Sequence, residues 1–261
     1  VTSTIFEKLD RLVSPFGNKV SVVIKEGKNH YSFNESTKML SASLIKLPIF
    51  LYAFDQVKKG TLSLDQKIPV SPEKMVDGSG IIQVIQDVRE WSIRDLLGLM
   101  INVSDNTATN VLMDVLGIEQ IQSWIENHGL NGTSIQRKMM DMQAKKEGKE
   151  NFTCASDVSH CMELIFLRPN SLSCEFPFVK HYFLNQQFRG KIPGKIEYTP
   201  VKIYNKTGEM EGISHDTAFM KLKDKTSIVT CMTSGFEDAT EADQLIQKMG
   251  EWVYLFLNEQ G

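Results

Sequence analysis

The sequence predicts an α+β fold: one antiparallel sheet flanked by N- and C-terminal helices, with an all-helical lobe inserted between its two halves. Three observations predict it. A β-branched run stands near the start, at Val20 to Lys25, and strand-like runs return near the end, between Val201 and Thr233. Between them the apolar residues recur at helical spacing. The chain then closes on a stretch, Glu241 to Leu257, whose Leu245, Met249, Trp252, Val253 and Phe256 share one helical face. Residues 1–38 and 190–261 are expected to form the sheet part and residues 39–189 the helical part of one compact unit.

In order, residues 2–13 read as an amphipathic helix on Ile5, Leu9 and Leu12, stopped by Ser14-Pro15-Phe16-Gly17-Asn18. Val20–Lys25 and His30–Phe33, joined by Glu-Gly-Lys-Asn, read as a hairpin. Ser43 to Val57 is apolar on all sides, as in a helix buried within a core. Leu62 to Val70 and the Asp77-Gly78-Ser79-Gly80 turn connect it to a helix over Ile93–Ile101, for which Ser92 is the N-cap and Asp95 an acidic capping-box partner. Further helices are predicted at Asn106–Leu116, Ile118–Asn127, Ala155–Leu167 and about Cys174–Asn185. The closing strands are predicted at Val201–Tyr204, Thr217–Leu222 and Ser227–Thr233.

With 261 residues, 41% of them hydrophobic and 23% charged, the chain has the make-up of an ordinary globular protein with ample core. A net charge of −3 gives no reason to expect nucleic-acid binding, and no basic run suggests a membrane surface. No stretch approaches the roughly 20 apolar residues of a membrane span. Val1 to Asp10 does not read as a signal peptide, which implies a cytoplasmic protein if the chain is complete and a secreted or periplasmic one if a signal was removed. Of Cys154, Cys161, Cys174 and Cys231 none forms a C-x-x-C pair or lies beside a histidine at zinc-ligand spacing. Cys154 and Cys161 read as small apolar packing residues.

Three short motifs carry chemistry. Ser43-Leu44-Ile45-Lys46 puts a hydroxyl and an ammonium one turn apart on the same face of the buried helix. A lysine in so apolar a helix is costly without a partner or a role, and desolvation lowers its pKa toward a form able to take the serine proton. Ser104-Asp105-Asn106 suits a helix N-cap, and Lys206-Thr207-Gly208 closes the strand that starts near Val201. Each alone has a plain structural explanation. Their order is what is specific.

Ser-x-x-Lys, then Ser-Asp-Asn, then Lys-Thr-Gly resembles the motif set of class A β-lactamases and penicillin-binding proteins, over nearly the whole chain. The resemblance implies that Ser43 is the nucleophile, Lys46 its base or relay, and Ser104 the proton donor to the leaving nitrogen. It implies that Asn106 hydrogen-bonds the substrate's side-chain amide and Lys46, that Lys206 supplies positive charge near Ser104 and the substrate carboxylate, which Thr207 also binds on the strand it shares with Gly208, and that the backbone N–H groups of Ser43 and Glu209 make an oxyanion hole. Two departures stand out. Class A enzymes need a glutamate between the second and third motifs to activate the deacylating water. Glu147 and Asn151 match the usual spacing literally, but counting back from Thr153-Cys154-Ala155 puts the position near Met140 or Asp141. Asp141, Glu147 and Glu150 all remain candidates. The second departure is His215, which stands where an arginine often binds the substrate carboxylate and could replace it only when protonated, with the neighbouring Asp216 raising its pKa.

The expected function is therefore a serine β-lactamase-like hydrolase acting through an acyl-Ser43. The alternatives are a D-Ala-D-Ala peptidase or esterase on the same scaffold, and a β-lactam sensor that is acylated once. The expected partner is a small-molecule substrate, the expected state a monomer, and neither a metal nor an organic cofactor is implied.

Overall fold

A computed structural model of the chain describes residues 2–85, 87, 89–196 and 200–259; the outermost residues of the expected sheet part, Val1, Gln260 and Gly261, lie outside these. From the N-terminus, helix α1 (Thr2–Val13) leads into strands β1 (Val20–Glu26) and β2 (Asn29–Phe33), then the short β3 (Met39–Leu40) and helix α2 (Lys46–Lys58). Short strands β4 (Lys67–Pro69) and β5 (Glu90–Ser92) pair with each other before helices α3 (Ile93–Asn102), α4 (Asn106–Leu116) and α5 (Ile118–Asn127). The small helix α6 (Met142–Lys146) and strand β6 (Phe152–Thr153) precede α7 (Ala155–Phe166), α8 (Leu172–Glu175) and α9 (Val179–Leu184). Strands β7 (Lys202–Met210), β8 (Ile213–Leu222) and β9 (Lys225–Ser234) and helix α10 (Ala239–Glu259) complete the chain.

The sheet is five-stranded and antiparallel, in the order β2-β1-β9-β8-β7. The first hairpin thus pairs with the last strand, Val22 opposite Cys231, which is how the two ends of the chain make one sheet. One core lies between the sheet and α1 and α10, on Leu9, Val22, Met249 and Val253. The other packs the helical lobe together and against the opposite sheet face, on Phe50, Phe54, Phe166, Phe183 and Phe219. Strand β7 is an edge strand, and its free side faces the helical lobe.

Local chemistry sets several boundaries. The Ser92 hydroxyl accepts from Asp95 N at 3.0 Å, capping α3 as the sequence predicts. The helix expected over Cys174–Asn185 is broken into α8 and α9 because Pro177 has no N–H to donate. The buried helix begins with a 3₁₀ turn, Ala42–Ile45, that runs directly into α2. Lys206-Thr207-Gly208 lies within β7 instead of closing it, opposite Thr217, Asp216 and His215 of β8. Cys154, Cys161 and Cys231 are buried packing residues, and all four cysteines are free thiols.

Candidate active site

Ser43 sits in the 3₁₀ turn at the mouth of a cleft between β7 and the helical lobe. Ala42 before it holds a left-handed backbone (φ +43°), a conformation that costs an L-residue energy and is kept only where its surroundings enforce it. They do so from two sides. Ser41 N donates to Asn151 O at 2.8 Å, and β3 just upstream pairs with β6. From the sheet, Gly208 comes so close that a Cβ there would lie 3.2–3.3 Å from Leu44 Cγ, Ala42 Cβ and Leu44 N.

Lys46, fully buried, donates to Ser104 O at 2.6 Å, Ser104 Oγ at 3.0 Å and Asn106 Oδ1 at 2.9 Å. Those three acceptors offset the cost of burying the amine. Lys206, equally buried, donates to the same Ser104 Oγ at 3.0 Å and to Thr207 O at 2.7 Å. One hydroxyl therefore bridges two amines, an arrangement through which a proton can pass. Burial first, and the Lys206 charge second, hold Lys46 well below the ordinary lysine range. Burial lowers Lys206 to about 7. Ser104 itself is left-handed (φ +55°), which turns its carbonyl and hydroxyl to the same amine.

The loop before α3 completes the wall. Asp105 caps α4 through Ala108 N at 2.8 Å, and its other oxygen accepts from Ile81 N and Ile82 N at 2.7 and 3.0 Å. Asn106 N donates to Ser79 O and Asn106 Nδ2 to Asp77 O, so the second motif grips the Asp77-Gly78-Ser79-Gly80 turn. Gly80 is required there, since a Cβ would fall 2.4 Å from the Asp105 carboxylate.

The cleft has two lobes. A larger one of about 630 Å³ is lined by Ser43, Ser79, Ser104, Thr207, Glu209 and Ser214, among others. A smaller one of about 200 Å³ is lined by Ser43, Asn106, Glu209 and the segment that includes Met139, Met140 and Glu150.

Neither sequence count puts a carboxylate on the cleft wall: the count back from Thr153 lands on Met140, which lines the smaller lobe, and on Asp141, which does not. Asp141 spends one oxygen capping α6 through Ala144 N at 2.9 Å, and it lines neither lobe. Glu147 is exposed, bonded to Gln143 and Lys149, and also lines neither. The lysine-rich segment 144–149 carries it out into solvent. Glu150 does border the smaller lobe, but in a largely buried ion pair with Arg137 at 2.7 Å. Asn151 holds the same segment by accepting from Gln136 N and Arg137 N and donating to Arg137 O.

His215 also needs correction. Its ring is buried and lines neither lobe. Nδ1 lies 2.9 Å from Ser214 O and 3.1 Å from Thr233 N, and Nε2 bonds Leu40 O at 2.9 Å, so both ring nitrogens are engaged by backbone. Burial lowers its pKa to about 4, and Asp216 contributes no rise. It is a neutral brace between β8 and the strand leading to Ser43.

Ser79 and Asp105 were missed as site residues. The paired glycines around Ser79 were the available signal, because a turn that needs two of them is pressed against something.

A sequence profile of the Beta-lactamase enzyme family matches residues 4–257, nearly the entire chain. The chain belongs to the beta-lactamase enzyme family. Its fold is that of class A β-lactamases and related penicillin-binding proteins. It superimposes on a β-lactamase from Sphaerobacter thermophilus with a TM-score of 0.85 at 24% identity, covering 97% of this chain and 96% of the other. PBP-A gives 0.84 at 21% identity, covering 98% and 96%. Among curated proteins, the β-lactamase regulatory protein BlaB of Streptomyces cacaoi is 25% identical over 107 residues, 41% of this chain and 34% of BlaB. The chain thus spans less than half the length of the curated relatives it matches. Membership in this family supports serine β-lactamase-like chemistry, and no helix among the described residues is long and apolar enough to cross a membrane.

Proposed function

We propose that this protein is a serine acyl-transfer enzyme that β-lactams acylate at Ser43 and that releases the acyl group slowly. Ser43 Oγ attacks the carbonyl carbon while Lys46, whose charged form burial disfavours, takes its proton. Ser104 passes a proton to the leaving nitrogen and is replenished by the amines that flank it. The backbone N–H groups of Ser43 and Glu209 hold the oxyanion, each donor contributing roughly 3 to 4 kcal/mol to the transition state. Asn106 binds the acyl side of the substrate, Thr207 the leaving side, and Gly208 lets β7 approach the nucleophile.

The observation that carries slow release is the wall of the smaller lobe. Where a water-activating carboxylate would act, this chain offers Met139 and Met140, and Glu150 is held by Arg137. With Lys46 as the base for acylation, the carboxylate is required for hydrolysis of the ester. A faster, β-lactamase-like turnover is the second reading, and it requires Glu150 to leave its arginine.

Mass spectrometry of the protein incubated with a penicillin over minutes to hours decides the matter, with Ser43→Ala as control. A lasting adduct on Ser43 is the expected result. Product that accumulates with a transient adduct or none, and is lost in Ser43→Ala, favours rapid turnover, and neither adduct nor product shows that a penicillin is not a substrate.

A further inference from the structure

The larger lobe is the leaving-group side of the cleft, because Ser104 opens into it while Asn106 opens into the smaller lobe. Four of its lining residues are acidic: Glu209, Glu211, Glu237 and Asp243. Among the described residues that line it there is no lysine or arginine. The cations beside it are engaged: Lys206, buried behind the wall, donates to Ser104 Oγ at 3.0 Å and Thr207 O at 2.7 Å, Lys191 is buried and pairs with Glu209 at 3.2 Å and Asp243 at 4.0 Å, and Lys19 lies over the Phe236 ring at 5.9 Å. Ser214, whose hydroxyl could have met a carboxylate, donates to Asp243 at 2.5 Å. His215 is neutral and turned away to Leu40. Phe188 and Phe236 add aromatic surface to the same lobe, and aromatic faces with nearby carboxylates suit alkylated ammonium groups.

We infer that this lobe selects acyl donors whose leaving portion carries a positive charge, an alkylammonium ester, thioester or amide, over those carrying a carboxylate. The inference rests on acyl transfer at Ser43 and specifies the leaving group. Glu211 and Glu237 are exposed at the rim, where their charge reaches an incoming substrate before it docks. Clefts lined by one sign of charge raise the local concentration of oppositely charged substrate by about tenfold or more at low ionic strength. A penicillin, reactive through its strained ring, still reports on Ser43 although its carboxylate is poorly matched to this side.

Three thioesters of phenylacetic acid test the selection: those of thiocholine, 2-mercaptoethanol and 3-mercaptopropionate, which differ in leaving-group charge. In each, Ser43 Oγ bonds to the acyl carbon as the C–S bond breaks. The serine proton goes to Lys46, and the thiolate takes a proton from Ser104 and departs as a thiol. All three give the same phenylacetyl-Ser43, so differences in the rate at which the Ser43 peptide gains that mass, each divided by the ester's uncatalysed rate of hydrolysis to remove the difference in thiol acidity, report on how the cleft receives the leaving group. The thiocholine ester is expected to acylate about tenfold faster than the carboxylate ester at low salt, with the neutral ester between and the gap shrinking in high salt. Glu211→Gln with Glu237→Gln is expected to narrow the ratio several-fold and leave the neutral ester unchanged, and Glu211→Lys with Glu237→Lys to reverse the order. Equal rates, or a faster carboxylate ester, overturn the inference and leave Ser43 chemistry standing. A penicillin adduct without any thioester adduct does the same. Failure of penicillin and all three thioesters together overturns the acyl-transfer reading itself.

Discussion

His215 Nε2 donates to the carbonyl oxygen of Leu40 at 2.9 Å, tying the middle of the sheet to the backbone just ahead of Ser43. The imidazole is neutral in the fold, with a pKa of about 4 against an ordinary 6.5. Below about 6.5 the unfolded chain binds a proton that the folded chain refuses, so this group's stabilising contribution is complete above 6.5 and is lost as pH falls toward 4. Asp216, raised to about 7 by burial, works in the opposite sense. The comparison that isolates the histidine is therefore His215→Gln. Urea unfolding between pH 7 and 4 is expected to show a steeper loss in the wild type, by up to about 3 kcal/mol. Equal pH slopes for the two proteins would show that the ring is not held neutral.

Gly208→Ala puts a methyl group 3.2–3.3 Å from Leu44 and Ala42. The strand or the nucleophile's turn must give by a few tenths of an ångström. Acylation by penicillin is expected to slow by roughly tenfold, since displacement of a reacting group by about 1 Å can cost a hundredfold. A variant that acylates at the wild-type rate would mean that this approach does not position Ser43.

Acylation should follow the two amines that share Ser104. Lys46 must be unprotonated to accept the serine proton, so the rate rises with pH on the acid side. Lys206, lowered to about 7, must be protonated to replenish Ser104, so the rate falls as pH passes above about 7. The two limbs belong to the coupled pair. Rapid-quench measurement of Ser43 adduct from pH 5 to 9 tests this, and a rate still climbing at pH 9 would count against a charged Lys206 in the relay.

Asp141→Asn and Glu147→Gln are expected to leave the lifetime of the penicillin adduct within about twofold of wild type, because neither carboxylate lines the cleft. Met140→Glu, which places a carboxylate on the wall of the smaller lobe, is expected to shorten it by about tenfold or more. Adduct decay followed by intact-protein mass spectrometry checks all three. A large effect of Glu147→Gln would require segment 144–149 to fold over the cleft.

Arg137→Ala leaves the largely buried Glu150 with only Lys145, 4.0 Å away, and breaking a buried pair costs roughly 3–5 kcal/mol. The partial exposure of both side chains, 12% and 15%, puts the expected loss below that, at about 2 kcal/mol. A shift in the urea midpoint measures it. No shift would mean that Asn151 alone holds the segment.

The elements with strong periodicity were legible in the sequence because their pattern repeats their environment: the buried helix at Ser43, the capped α3, and the hairpin of β1 and β2. Errors fell where one residue outweighs a pattern, as Pro177 does in splitting the helix expected over Cys174–Asn185. The three motifs were legible because each is local, and helix or strand geometry fixes how its own residues face.

What joins residues far apart in the chain was decided only by the tertiary structure. Sequence alone determined the family, the fold class and the three motifs that meet near Ser43, since those depend on short-range spacing and order. It could not show that Lys46 and Lys206 meet at one hydroxyl, that Glu150 is claimed by Arg137, or that His215 faces Leu40 and not the cleft. Nor could it gather Glu211, Glu237 and Asp243 around one lobe. The physical reason is that a charged or titratable side chain takes its character from the groups that desolvate and pair it. In this protein those groups arrive from different elements, brought together when the two ends of the chain close one sheet against the helical lobe.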